Sequence, residues 1–386
     1  MTRAPRIFFY VQHLLGIGHL ARASRIATAL VDRGAKVTLV TGGLPVAGFP
    51  PDGTRHFPLP PVQTAGEGFQ GLADAQGHPV SPDFLDHRRE MLLAAYRQKA
   101  PDVVITEAFP FGRRQMRFEL LPLLEAIAQA DPRPALCCSL RDILQEKSKP
   151  GRDEETVALV RGNYNHVLVH GDPAFAQLGD TFPLAVEITD HVIQTGLIAP
   201  PLPVPAVKGF DVVVSAGGGA VGEGLSRAAV EAARLLPDLR FCLICGPNMP
   251  QPIRHELQSA AATLPEGQVT IETFLSDFTG LLAASRLSVS QAGYNTVCDV
   301  LRAGCRAILI PFAKGGETEQ TTRAERLHAK GWAGMLSEDA LTGPALAMQI
   351  IAELDRPAPD RKGLNLDGAV ATADILWNLA KARITN

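Results

Sequence analysis

Phe210-Asp211-Val212-Val213-Val214-Ser215-Ala216-Gly217-Gly218-Gly219 is an apolar run that breaks into three glycines, and the helical stretch Gly224–Leu236 follows it. A strand feeding a glycine turn and then a helix is the opening unit of a doubly wound α/β domain. The chain has made the same start once before. Ile7–Val11 is β-rich and Gly16-Ile17-Gly18-His19 follows. In Leu20–Arg33 the residues Leu20, Ala23, Ile26, Ala27, Leu30 and Val31 form one apolar stripe that Gly34 is placed to end.

Each start is continued by alternating strands and helices. Lys36–Thr41, Val103–Thr106, Ala135–Ser139 and Val167–His170 are the expected strands of the first half. Arg240–Cys245, Val269–Thr273, Leu287–Ser290 and Ala307–Ile310 are those of the second. Such alternation implies parallel sheets covered by helices on both faces. Gly196–Val207 carries Pro200, Pro201, Pro203 and Pro205 and reads as a linker. The expected organisation is a Rossmann-like domain over residues 1–195, a linker at 196–207, a second Rossmann-like domain at 208–366 and a closing segment at 367–386 with a helix near Ala369–Ala382. The fold class is α/β, two doubly wound domains facing across a cleft, with the active site expected at the carboxyl ends of both sheets. Gly42–Pro82, rich in glycine and proline, is expected to be long loops.

The composition narrows the function. The 386 residues suit two domains, and a net charge of −3 offers no global attraction to nucleic acid. No apolar run approaches the roughly 20 residues that span a bilayer. Arg3 and Arg6 before Ile7–Val11 look superficially like a signal peptide, but the apolar stretch is short and runs into Gln12 and His13. It is read as the first strand of a cytoplasmic domain. Cys242 and Cys245 sit in an apolar strand without a helix N-terminus or a second cysteine pair, so buried core thiols are expected rather than redox or zinc chemistry.

Both glycine loops satisfy G-x-G-x-x-G/A, through Gly16, Gly18 and Ala21 and through Gly217, Gly219 and Gly222. A dinucleotide site also needs an acid at the end of the second strand to hold the ribose. Those strands end in Thr41-Gly42-Gly43 and Cys245-Gly246-Pro247, without one. What remains is close backbone approach and a helix N-terminus, both suited to phosphate.

The chemistry is concentrated in Phe274–Gln320. Phe274-Leu275-Ser276-Asp277-Phe278 opens it, and after the strand Leu287–Ser290 comes Gln291-Ala292-Gly293-Tyr294-Asn295-Thr296-Val297-Cys298-Asp299. Gly293 with Asn295 and Thr296 offers hydrogen-bond donors at a helix start, which suits a diphosphate. Asp299, one turn after Asn295, shares its face and can accept from ribose hydroxyls. Helix capping is the competing explanation for each residue alone.

This segment resembles the donor-binding region of GT-B glycosyltransferases, particularly the family 28 C-terminal domain, and the UDP-glycosyltransferase pattern His-x-Gly-Trp-Asn-Ser-x-x-Glu followed by Asp/Glu-Gln. The resemblance implies a nucleoside-diphosphate sugar, UDP-linked, as co-substrate and no further cofactor. It places Gly293, Asn295 and Thr296 on donor phosphates, Asp299 on ribose, Glu319 and Gln320 on the transferred sugar, and Phe274 and Leu275 on the nucleobase. Gly217, Gly218 and Gly219, with Gly16 and Gly18 of the first loop, supply further donor contacts. Gln291 stands where the pattern has histidine, Tyr294 where it has tryptophan, and Asp299 is one methylene shorter than the usual glutamate. In such enzymes the C-terminal helix often returns to the first domain.

The first glycine loop resembles that of the same families, which makes His19 the candidate general base; an ordinary imidazole titrates near neutrality and can accept a hydroxyl proton. Glu107 and Asp142, at strand ends, are candidates to assist it or to cap the following helices. Phe109, Arg113, Arg114 and Arg141 are candidates for the acceptor site, and with Arg117 the arginines suit an anionic acceptor. A solvated helix start with stems packed on Phe118 and Leu121 would explain them equally. No metal-ligand cluster or D-x-D motif is present in the sequence, so metal-independent transfer to a hydroxyl acceptor is expected. No nucleic-acid partner is expected; the acceptor could be lipid-linked, and family 28 proteins can dock peripherally on the inner face of the membrane. Two other readings stay open: a nucleotide-sugar hydrolase or 2-epimerase on the same fold, to which Gly16–Arg22 also bears a resemblance, and a non-catalytic nucleotide-sugar-binding subunit.

Overall fold

A computed structural model describes residues 3–14, 18–64, 71–145, 150–217, 222–246 and 248–385. They form two compact units, one comprising Met1–Ile198 with Asp367–Asn386 and the other Ala199–Leu366.

In the first unit the elements run β1 (Arg6–Val11), α1 (Gly18–Asp32), β2 (Lys36–Thr41), β3 (Arg55–Pro58), β4 (Gln63–Thr64), β5 (Leu72–Ala73), α2 (Pro82–Lys99), β6 (Val103–Glu107), α3 (Arg117–Ala128), β7 (Ala135–Arg141), α4 (Arg152–Asn163), β8 (His166–His170) and β9 (Val192–Gln194). The described strands pair all-parallel in the order β3-β2-β1-β6-β7-β8-β9. The strand order reverses between β1 and β6, and in a doubly wound sheet the crevice beyond the carboxyl ends at such a reversal is where ligands bind. One stretch differs from expectation. The stretch 42–82, expected to be loops, contains β3 on the sheet edge and the small antiparallel pair β4/β5. Arg55-His56-Phe57-Pro58 has no strand periodicity, and an edge strand tolerates its proline.

The second unit runs β10 (Val212–Ser215), α5 (Glu223–Leu235), β11 (Phe241–Ile244), α6 (Gln251–Ala261), β12 (Val269–Glu272), α7 (Phe278–Ala283), β13 (Leu287–Ser290), α8 (Tyr294–Ala303), β14 (Arg306–Leu309), α9 (Glu319–Ala329), β15 (Gly334–Met335) and α10 (Gly343–Asp355). Its order is β12-β11-β10-β13-β14-β15, again parallel, with the reversal between β10 and β13. The last helix, α11 (Gly368–Thr385), belongs to the first unit and packs on α1, where Arg33 pairs with Asp374 at 2.5 Å.

Each unit has its own apolar core. Phe8, Tyr10, Leu92, Val104, Leu120 and Leu136 anchor the first, and Val212, Val214, Leu243, Leu287, Val289 and Ile308 the second. Removing such side chains from water, at roughly 25 cal/mol per Å² of apolar surface, is what holds each sheet to its helices. All six cysteines are free and buried, and burial pushes the Cys242 thiol up to about 12, as befits core residues.

One buried polar cluster fixes the carboxyl ends of β1 and β2. Arg88, fully enclosed on α2, donates to Glu119 at 2.7 Å, to Gln12 Oε1 at 2.6 Å and to the Gly42 carbonyl at 3.0 Å. A Cβ at residue 42 would lie 1.9 Å from the guanidinium, so only glycine fits there.

Candidate active site

His19 lies in the first turn of α1, after β1, and Glu107 is the last residue of β6. Adjacent parallel strands therefore bring together, at the reversal point, two residues far apart in sequence. Nδ1 of His19 stands 3.0 Å from Glu107 Oε1, and Arg22, one turn along α1 and 3% exposed, pairs with the same oxygen. Ser139 Oγ donates to Oε2 at 2.5 Å.

Glu107 is fully buried. Burial alone would raise its carboxyl, but Arg22, His19 and Ser139 outweigh this and hold it well below the usual carboxylate range. An ionised carboxylate only accepts hydrogen bonds, so we assign the proton of His19 to Nδ1. The longer 3.3 Å approach of Arg22 to Nδ1 is then incidental. That tautomer leaves the lone pair on Nε2, on a side chain 21% exposed.

Burial lowers His19 to about 4; the Glu107 hydrogen bond works against this, and Arg113 and Arg22 work with it. The imidazole is therefore neutral across the physiological range, rather than titrating near neutrality as an unperturbed one would.

A cavity of about 460 Å³ opens beside His19 and Arg22, lined also by Arg113, Arg114, Arg141, Arg152, Phe111 and Leu144. Arg113 holds a left-handed backbone (φ 57°) and donates from Nε to the Gln12 carbonyl at 2.7 Å. Ala108, just after Glu107, is left-handed too, at φ 65°. Strained non-glycine residues of this kind persist where the surroundings over-determine them.

Several expected residues are placed otherwise. Phe109 is 1% exposed in the core, and its carbonyl is taken by Thr106 at 2.8 Å, so its ring is not available to an acceptor. Arg114 lines the cavity beside His19, and it shares the single carboxylate of Glu155 on α4 with Arg117, which offsets one of their two positive charges. Asp142 accepts from the Ile143 N–H at 2.8 Å and packs on Gly171; Glu107, not Asp142, is the carboxylate beside His19.

Part of the other set lies at the reversal point of the second sheet, and the rest in the segments after β12 and β14. Ser215 and Ser290 are register partners, which sets the loops after β10 and β13 side by side. Gly217 has φ +71°, and a Cβ there would lie 3.1 Å from Gln291 Oε1. Gly293 precedes α8, whose first turn carries Asn295 and Thr296 and whose next turn carries Asp299. Phe274 is 71% exposed in the loop after β12, with Leu275 beside it and Asp277 capping α7 through the Gly280 N–H at 2.8 Å. Gln320 Oε1 accepts from the Phe312 N–H at 3.2 Å. Gly16, Gly218 and Gly219 lie outside the described residues.

Glu319 departs from expectation. It is buried, and its carboxylate meets Arg323 one turn along α9 at 2.6 Å instead of facing outward to a sugar. Arg323 is itself 1% exposed, donates to the Ala292 carbonyl at 3.1 Å and lies over the Tyr294 ring. The pair thus braces the turn that leads into α8. Its i, i+4 spacing was the one sequence signal of this arrangement. Ser139 and His170 complete the surroundings of Glu107; His170 is legible as a polar strand end, but that the three meet depends on strand order.

Residues 212–363 match the glycosyltransferase family 28 C-terminal domain. Over 388 aligned residues the chain is 26% identical to a Phenylobacterium zucineum (strain HLK1) protein named UDP-N-acetylglucosamine--N-acetylmuramyl-(pentapeptide) pyrophosphoryl-undecaprenol N-acetylglucosamine transferase, covering 94% of each. The chain is a glycosyltransferase. A Geobacter sp. (strain M21) protein of the same name is 29% identical to this glycosyltransferase over 183 residues, 46% of this chain and 47% of that one. Its fold is GT-B. The calicheamicin glycosyltransferase CalG4 superposes with a TM-score of 0.64 at 15% identity, covering 100% and 99% of the two chains. Acinetobacter baumannii MurG does so with 0.60 at 15% identity, covering 98% and 100%. The expected fold and enzyme class are borne out by these likenesses.

Proposed function

We propose that this glycosyltransferase moves a sugar from a UDP-linked donor, N-acetylglucosamine in the first instance, to a hydroxyl of a lipid-linked pyrophosphate acceptor. The donor and acceptor are those in the names of its relatives. The observation that carries the reading is the His19–Glu107 pair, which leaves Nε2 unprotonated beside an arginine-bearing cavity.

In this scheme the acceptor hydroxyl donates to Nε2 of His19. As its oxygen bonds to the anomeric carbon, the proton passes to Nε2. The bond from the anomeric carbon to the diphosphate oxygen breaks, and its electron pair leaves with UDP. Glu107 stabilises the imidazolium that forms. Arg113, Arg141 and Arg152 suit the acceptor's phosphates, since guanidinium groups match phosphate oxygens in pairs.

On the donor side, Asn295, Thr296 and the N–H groups at the start of α8 meet the diphosphate, with Gly217 and Gln291 beside it. Asp299 accepts from the ribose, Phe274 lies against the base, and Gln320 reaches the sugar. The leaving charge is met by these helix-start donors, and the scheme runs without a metal ion. A lipid-linked acceptor brings the enzyme to the inner face of the membrane as a peripheral protein; no helix among the described residues is long and apolar enough to cross it.

The test is His19→Ala. UDP affinity should stay within twofold of wild type while kcat falls by roughly 10²–10⁴, the usual contribution of a positioned base. A near-wild-type kcat would remove His19 from the role.

A further inference from the structure

The surroundings of Glu107 extend further than the base needs for direct contact. Ser139 is 1% exposed, His170 0% and Thr195 1%, at the carboxyl end of β7, at that of β8 and just past β9. Their hydrogen bonds have one self-consistent direction. The single hydroxyl hydrogen of Ser139 goes to Glu107 Oε2, at 2.5 Å. Ser139 Oγ must then accept from His170 Nε2, at 2.9 Å, which fixes that ring's proton on Nε2. Nδ1 of His170 is left as an acceptor and takes the Thr195 hydroxyl at 2.9 Å, shorter than that hydroxyl's 3.2 and 3.4 Å approaches to the Gly196 and Val169 carbonyls.

We infer that Ser139 and His170 are positioning residues for the base, forming with Thr195 a one-way hydrogen-bond chain that holds the Glu107 carboxylate with one oxygen toward His19. The inference rests on the reading of His19 as base. Three adjacent strand ends each deliver a polar side chain into an interior where an unpaired polar group is costly. Apolar side chains would fill the same space without that cost, and only the polar ones can fix the orientation of a carboxylate. Chains of this sort polarise along their length, so the last donor, Ser139, is a stronger one for being fed by His170. Among the described residues, the charged and titratable groups that act on Glu107 are His19 and Arg22 on α1, Arg113 on the loop after β6, Cys138 on β7 and His170 on β8.

Losing the Ser139 hydroxyl leaves Oε2 without its donor. The carboxylate then holds its own proton and that of His19 more tightly, so both titrate at higher pH. In Ser139→Ala and in His170→Leu, kcat should fall about 10–100-fold, the range known for hydrogen-bond partners behind metal-ligating side chains. KM for the UDP-sugar should not change, and the acid limb of the kcat/KM profile should move to higher pH. The His19 ring signal, titrated by NMR in the absence of substrate, should move the same way.

Ser139→Thr keeps the hydroxyl and His170→Gln keeps an N–H donor at the same reach, so both should restore the limb and most of kcat. Val169→Ala, a core truncation on β8, controls for general loosening. Wild-type kcat and titration in Ser139→Ala would overturn the inference, as would an equal loss of kcat in Val169→Ala. If His19→Ala is inactive while Ser139→Ala is normal, the positioning chain alone fails. If His19→Ala is active, the base reading fails and the inference falls with it.

Discussion

Replacing Glu107 by glutamine keeps the size of the side chain and removes its charge. The carboxylate takes donors from Ser139 at 2.5 Å, from His19 at 3.0 Å and from Arg22. An amide has one acceptor oxygen and an NH2 group, so either a donor faces Arg22 and His19, or the Ser139 hydroxyl must turn from donor to acceptor and reverse its bond with His170. Arg22, 3% exposed and never neutral, loses its counter-ion. Breaking a buried pair from one side costs about 3–5 kcal/mol, and we expect that loss in Glu107→Gln. With Trp332 changed to phenylalanine, Trp377 on α11 reports urea unfolding of the first unit. Turnover, followed as UDP release, should fall by roughly 10²–10⁴, since the imidazolium is no longer stabilised and the tautomer no longer fixed. Adding Arg22→Met should recover much of the stability and none of the turnover. An unfolding midpoint equal to wild type, or turnover within threefold of it, would refute the reasoning.

Acid should weaken the first unit in a way that traces to His170. Burial holds this imidazole neutral down to about 3, while in the unfolded chain it takes a proton near its ordinary 6.5. The unfolded state therefore binds the proton first, so the contribution is whole above about pH 6.5 and shrinks as pH falls towards 3. A gap of about 3.5 pH units at roughly 1.4 kcal/mol each bounds the loss at on the order of 5 kcal/mol. His170→Gln should flatten the stability profile between pH 6 and pH 4, and an unaltered slope there would contradict the assignment. In the second unit, Asp299→Ala should weaken UDP binding about tenfold, a loss of about 1.4 kcal/mol that fits one hydrogen bond to a charged acceptor. Unchanged affinity by calorimetry would remove Asp299 from the ribose.

The fold was legible where periodicity and glycine punctuation agree. The strands and helices of both starts lie where the sequence put them, and Gly34 ends α1 with φ +92°. The edge strand β3 was not legible, because Arg55-His56-Phe57-Pro58 gains its strand character only by pairing with β2. His19 stood out from its glycine loop, and Glu107 from its place at a strand end. That the two touch follows from β6 lying next to β1, a long-range fact that no local pattern carries.

The misplacements share a cause. Phe109 lies in the turn after β6, where the sequence carries no periodicity, and only packing sends its ring inward. Glu319 was read by position in a pattern, whereas the buried Arg323 four residues on claims its carboxylate.

The central claim is transfer of the sugar to an acceptor rather than its release to water. The direct measurement is the fate of sugar-labelled UDP-N-acetylglucosamine incubated with the enzyme, with and without a pyrophosphoryl-lipid acceptor. The account predicts UDP release that depends on the acceptor, with the label recovered in the lipid and the reaction lost in His19→Ala. Rapid release of free sugar without acceptor would contradict it.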